Sequence, residues 1–182
     1  LISISVYVFV FTAYDKFLFS DCAVFWNLAT QRFQGNEFAD SQYAAWPPIY
    51  HILLAELFTL LKWIGLGSWI CLETALAVNI VLYALSVYAL QRVASRWFKK
   101  PQWMLLTMLL YAFGFPALYF NVFLLSENAG VPLMVMAFAL VSCRETWLSL
   151  VVGALIFGLA ASIRPSLGPY GLAFVALYWG RY

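Results

Sequence analysis

The chain has 182 residues, of which 65% are hydrophobic and only 10% are charged, and its formal net charge is +2. An average soluble domain carries about 25% charged residues, so the composition excludes an ordinary water-soluble domain, and the small net charge gives no basis for a nucleic-acid partner. Apolar runs close to the roughly 20 residues of a membrane-spanning helix recur along the chain, which predicts an all-α, polytopic bundle of about six transmembrane helices.

The first apolar run covers residues 1–14. As a helix it would be about 21 Å long, which is short of the ~30 Å hydrocarbon core of a bilayer. We therefore interpret it as the end of a first transmembrane helix whose start is missing. The chain is accordingly expected to be the N-terminal portion of a longer protein.

A polar segment follows, and Asp21 stands near its beginning. The next residues predict a short amphipathic helix that ends near Gly35. Such a helix is expected to lie on the membrane surface. Its apolar face is formed by Phe25, Leu28, Ala29 and Phe33.

The run at residues 47–65 decides the topology. If it crossed the membrane, eight of the ten basic residues would lie outside, against the positive-inside rule. If it lies in the outer interface, six of the ten lie inside, as the rule requires. We therefore predict a single module in which residues 15–68 form an extracytoplasmic loop with interfacial helices. Residues 69–182 then supply five further transmembrane helices, from the runs 69–91, 101–120, 129–143, 147–163 and 168–179.

This topology brings Asp21, Glu127 and Arg164 to the outer face. Asp21 is either a helix N-cap or a general base that accepts a proton from an acceptor. Glu127 is either a capping or surface acid, or a functional carboxylate held beside apolar runs at membrane depth. Arg164 is either a snorkelling interfacial side chain or a forked donor that holds a phosphate.

Two further patterns have mainly structural interpretations. His51 is the only histidine of the chain, so a histidine-based metal site is excluded, and a packing or hydrogen-bonding role is favoured. Ala154, Gly158 and Ser162 form a stripe of small residues, which predicts close helix packing.

Four motifs occur in a characteristic order: D-x3-F-x3-A-x5-G from Asp21, WPPIY at residues 46–50, SEN at 126–128 and GLAASIRP at 158–165. Together they resemble the GT-C superfamily of membrane glycosyltransferases. Within it, the chain is most similar to the protein O-mannosyltransferases and the aminoarabinose transferases of lipid A, and less similar to the mannosyltransferases of GPI-anchor synthesis.

The resemblance implies an integral-membrane enzyme that transfers a sugar from a polyprenyl-phosphate donor to an extracytoplasmic acceptor. Asp21 would be the catalytic base, although Cys22 stands where many members have a second acid. No metal ligand is assigned, and cofactor use stays open between none and a divalent cation. The residues expected to bind substrate are Glu127, Asn128, Arg164, Trp46, Tyr50 and His51.

Two alternatives stay open. The chain could be a non-catalytic membrane subunit that kept the fold and packs in a larger membrane complex. A small transporter is less favoured, because the charges collect at one interface and not at mid-membrane. The expected partners are the sugar lipid, membrane lipids and other membrane proteins. We expect a bacterial inner membrane, with the endoplasmic reticulum membrane as the alternative, since the chain has no N-x-[ST] sequence that would favour the latter.

Overall fold

The computed structural model of the chain describes residues 21–35, 48–66, 70–114, 125–143 and 146–179. These residues form seven α-helices and one 3-10 helix and include no strand, which confirms the all-α prediction. The elements are α1 (Asp21–Phe33), α2 (Pro48–Trp63), α3 (Ile70–Trp97), α4 (Pro101–Phe113), α5 (Glu127–Cys143), α6 (Trp147–Ile163), the 3-10 helix (Pro165–Tyr170) and α7 (Gly171–Trp179). The predicted run at residues 1–14 lies outside the described residues.

Helix α3 is the longest described element, with 28 residues and a length of about 42 Å. Among the described helices it alone is both long and apolar enough to cross a membrane, whereas α4, α5 and α6 are apolar but shorter. The sequence predicted its end at residue 91. The helix continues to Trp97 because Arg92 and Arg96 are good helix formers even though they end the apolar run.

Helices α1 and α2 pack side by side. The predicted apolar face of α1 is confirmed, since Phe25, Leu28 and Ala29 are buried. This face packs against α2, and the position of the helix at the membrane surface stays a prediction. The rings of Phe25 and Tyr50 meet edge to face at 4.9 Å. The predicted stop is confirmed, since Gly35 has a φ of +77° just after the helix ends.

Helix α5 packs against both α3 and α6 and forms the centre of the bundle. Its contact with α6 is close at Gly153, where an added Cβ would lie 2.8 Å from Cγ2 of Val141. The prediction that the stripe of small residues packs against another helix is wrong for the described residues, because Ala154, Gly158 and Ser162 are all exposed. The small residue that allows close approach is on the neighbouring face of the same helix.

Helix α4 folds back along α3, and two tyrosines join the pair. The rings of Tyr83 and Tyr111 stack at 5.0 Å. The Tyr83 hydroxyl donates to the Tyr111 carbonyl at 3.2 Å, and Ser86 Oγ lies 2.8 Å from the Tyr111 hydroxyl. Hydrogen bonds of this kind hold apolar helices together without a hydrophobic driving force.

Two ends of the bundle can be distinguished. At one end, Arg96 of α3 donates to the last carbonyls of α5, from Ser142 and Cys143, both at 2.8 Å. At the other end α5 begins at Glu127 and α6 ends beside it, so α3 and α5 run parallel and α6 returns. The two ends of α5 are separated by 17 residues, or about 26 Å.

Candidate functional site

The candidate site is built around an ion pair between α5 and the end of α6. Nη2 of Arg164 lies 2.7 Å from Oε1 of Glu127, and the two side chains are 34% and 39% exposed. The charge-based topology placed both residues at the same end of the bundle, and the structure brings them into direct contact. Because both remain partly exposed, a ligand can reach them.

The backbone around Arg164 holds this side chain in place. Pro165 disfavours helical geometry at the residue before it, so α6 ends at Ile163 and Arg164 adopts an extended conformation. The Arg164 Nε donates to Ser166 Oγ at 3.2 Å. Gly130 of α5 allows the approach, since a Cβ there would lie 3.1 Å from the Arg164 Cβ.

Glu127 is the first residue of α5, which begins two residues before the apolar run that the sequence identified. A carboxylate at a helix N-terminus is stabilised by the helix dipole. Ser126 Oγ also donates to Glu127 Oε2 at 3.2 Å. The carboxylate is therefore held by a neighbouring hydroxyl, a helix terminus and a guanidinium. Asn128, the next expected substrate contact, is buried in the first turn.

A buried polar pair lies beside this carboxylate. Tyr50 of α2 and Asn79 of α3 are both buried, and the Tyr50 hydroxyl and the Asn79 amide nitrogen make no hydrogen bond to the described part of the chain. Burial raises the pKa of Tyr50 well above its usual range, the neighbouring Asn79 amide opposes this although it does not reach hydrogen-bond geometry, and the charges of Cys22 and Glu127 raise the pKa further. The hydroxyl therefore stays protonated, so it is able to donate a hydrogen bond to a ligand but not to act as a base.

Such a pair is energetically unfavourable in a dry interior, because a buried polar group without a partner loses its hydration. The pair is therefore suited to a bound water or to a polar group of a ligand. The sequence identified Tyr50 but missed Asn79. The signal was present, since Asn79 is a polar side chain in the middle of an apolar run.

His51, another expected substrate contact, is only 1% exposed. Burial, and secondarily the positive charge of Arg32, lower its pKa. The imidazole is therefore neutral at physiological pH. Its burial in α2 agrees with the packing role that the sequence favoured and leaves the predicted contact with substrate as a prediction.

This depressed pKa has a measurable consequence. As the pH falls below about 6.5, the unfolded state binds a proton on His51 before the folded state does. Stability is then lost with a slope of up to about 1.4 kcal/mol per pH unit. We expect the midpoint of thermal unfolding to fall less between about pH 7.5 and pH 5.5 in His51→Gln than in the wild type. Identical pH profiles for the two proteins would contradict a neutral buried imidazole.

Asp21 begins α1. The next residue, Cys22, is buried in the same cluster as Phe25 and Tyr50. The start of α1 therefore lies near the buried tyrosine, whose pKa in turn responds to Glu127. Trp46, the remaining predicted substrate contact, lies outside the described residues.

In the described part of the chain, no group of three or more His, Cys, Asp or Glu side chains lies close enough together to hold a metal ion. Hard cations take several oxygen ligands, and the Glu127 carboxylate is already engaged by Arg164.

No protein-family profile, curated protein or solved structure matches the chain.

Proposed function

We propose that the chain is part of a GT-C-like membrane glycosyltransferase with about six spanning helices and an extracytoplasmic active site. The observation that carries this proposal is the partly exposed pair of Glu127 and Arg164. The pair lies at the end of the bundle where α1 begins at Asp21. An acid can accept the proton of an acceptor, and a forked cation can hold the phosphate of a lipid donor.

The exposed apolar faces support placement in a membrane. Leu148, Leu155 and Leu159 are exposed along α6, and Leu105 and Leu110 along α4. Exposed apolar faces of this extent normally lie against another protein or a membrane. Together with the spanning length of α3, this favours a bilayer. The bacterial inner membrane and the number of spans remain part of the proposal.

The proposed reaction assigns one task to each group. The Asp21 carboxylate takes the proton from the acceptor hydroxyl or amine, and the freed lone pair attacks C1 of the sugar. The bond between C1 and the phosphate oxygen breaks, and polyprenyl phosphate leaves with both electrons. Arg164 stabilises the phosphate charge, while Glu127 orients the guanidinium.

The donor capacity of Arg164 is consistent with this task. A guanidinium has five N–H donors, and the contacts with Glu127 and Ser166 use two of them. The other three have no hydrogen-bond partner among the residues that the structure describes, which leaves them for phosphate oxygens. The glutamate also fixes the plane of the fork, so less conformational entropy is lost when phosphate binds.

We expect Arg164→Met to raise the KM for the donor about tenfold or more, since a charge-assisted hydrogen bond contributes about 1.5–3 kcal/mol. The measurement is release of polyprenyl phosphate by the full-length protein in liposomes. The donors are polyprenyl-phosphate mannose and polyprenyl-phosphate aminoarabinose. Arg164→Lys keeps the charge but loses the fork and should be intermediate. Arg32→Gln removes a positive charge from α1 and is the matched control. An unchanged KM in Arg164→Met would rule out this donor site.

A non-catalytic subunit is the second candidate, and one observation favours it. The charge of Arg164 is already balanced by Glu127 in a 2.7 Å pair, which by itself is sufficient as a structural contact. In that case the full-length protein transfers neither sugar, and Arg164→Met changes only its stability. The same liposome assay and a thermal unfolding measurement therefore distinguish the two functions.

A further inference from the structure

The end of the bundle opposite the candidate site carries concentrated positive charge. Arg92 and Arg96 lie in the last turns of α3, and Lys99 and Lys100 follow directly. The carboxylate side chains that the structure describes lie elsewhere, on α2, in the first turn of α3 and at the start of α5: Glu56, Glu73 and Glu127. Within the described residues, no acid therefore neutralises this end.

An apolar groove of about 360 Å³ opens beside these cations, between α3, α5 and α6. Arg92 lies at its boundary and also lines an adjoining polar cavity of about 250 Å³ together with Ser95 and Arg96. The apolar groove therefore adjoins a cationic pocket, which is the cavity lined by Arg92, Ser95 and Arg96. Its apolar lining includes Leu85, Tyr88, Ala89, Met136, Leu140 and Ile156.

Within the described ranges, the two arginines are held in position by groups that carry no full negative charge. The Arg92 guanidinium lies 5.9 Å from the centre of the Tyr88 ring. Arg96 donates to the carbonyls of Ser142 and Cys143, which fixes its fork at the C-terminus of α5. Neither contact supplies a full negative charge, so both guanidinium groups remain suited to an anion.

Three exposed tryptophans surround the same end. Trp97, Trp103 and Trp147 are 64%, 51% and 74% exposed, at the end of α3 and at the starts of α4 and α6. Tryptophans in membrane proteins concentrate at the level of the lipid headgroups. The cationic pocket therefore lies at headgroup level, and the apolar groove extends from it toward the hydrocarbon.

We propose that this groove binds an anionic phospholipid, with its phosphate on Arg92 and Arg96 and one acyl chain along the apolar lining. Basic pockets between helices at the membrane surface are suited to anionic headgroups. The charge of the pocket and the apolar character of the groove match the two ends of such a lipid. The site is distinct from the proposed donor site and does not depend on glycosyl transfer.

The test is lipid binding by the full-length protein in detergent, measured by native mass spectrometry. The lipids are phosphatidylglycerol and phosphatidylcholine with identical acyl chains. We expect tighter binding of phosphatidylglycerol. Arg92→Gln should reduce that preference about fivefold, because one basic residue near an anionic headgroup contributes about this factor. Arg32→Gln makes the same charge change on α1 and should leave the preference unchanged.

The apolar part of the site is tested by filling it. Ala89→Phe should weaken binding of both lipids, and Leu85→Trp, at an exposed position of the same groove, should do the same if the first variant fails to fold. Equal binding of the two lipids by the wild type, or an unchanged preference in Arg92→Gln, would overturn the proposal. Excess inorganic phosphate that displaced phosphatidylglycerol completely would also overturn it, because the acyl chain would then contribute nothing.

Discussion

Asp21→Asn is expected to lower sugar transfer by the full-length protein about 10²–10⁴-fold, the usual contribution of a general base. Asparagine has nearly the same shape as aspartate, and the negative charge that it removes from the first turn of the helix contributes only about 0.3–1 kcal/mol. The start of α1 at this position should therefore be retained. This substitution therefore removes the proton acceptor while the helix is retained.

The experiment measures turnover of the lipid-linked sugar together with helical content from circular dichroism. Glu56→Gln is the matched control, because it neutralises an exposed carboxylate on α2 and should leave transfer close to the wild-type rate. If the Asp21→Asn protein keeps its helical content and still transfers sugar at a near wild-type rate, Asp21 is not the base. If the Asp21→Asn protein loses helical content, Asp21→Glu tests whether a carboxylate at this position restores transfer.

The sequence predicted which face of a helix is buried better than it predicted which element packs against that face. The spacing of Phe25, Leu28 and Ala29 identified the buried face of α1 correctly, because helical periodicity depends only on local geometry. The same spacing is produced by a helix on a membrane and by a helix on another helix. Contact with α2 therefore could not be derived from α1 alone.

The candidate site was predictable to a similar extent. The two apolar runs between Glu127 and Arg164 placed these residues at one end, since two membrane crossings return the chain to the same side, and the distribution of basic residues added Asp21 to that side. Their ion pair depends on how closely α5 and α6 approach each other. That approach depends on Gly130, whose missing side chain leaves room for Arg164 and gives no signal of its own in a single sequence.

Asn79 illustrates a different limit. A polar side chain within an apolar run indicates function or a specific contact, so its importance was visible in the sequence. Its neighbour Tyr50 belongs to another helix, and no local pattern connects the two. The structure was needed to identify which residues of different helices lie together, whereas the unusual residues themselves could be identified in the sequence.

Gly153→Leu is the second large effect, and we expect it to destabilise the contact between α5 and α6. A Cβ at this position would lie 2.8 Å from Val141 Cγ2, 3.3 Å from the Ala137 carbonyl oxygen and 3.4 Å from Phe174 Cζ. Overpacking of this kind costs about 1–3 kcal/mol, and more when backbone must move. The carbonyl oxygen belongs to the backbone of α5, so the two helices have to separate to make room.

The prediction has an internal control on the same helix. Gly158 has nothing within 4 Å of the corresponding Cβ position, so Gly158→Leu should be neutral or slightly stabilising, since leucine favours a helix over glycine by up to about 1 kcal/mol. For a chain of this size, 1 kcal/mol shifts the unfolding midpoint by about 2–4 °C. Gly153→Leu should therefore unfold roughly 5–10 °C below Gly158→Leu, with Gly153→Ala in between. If the two leucine variants unfolded together, α6 would not use its Gly153 face to pack on α5, and the Ala154, Gly158 and Ser162 stripe would again be the better packing surface.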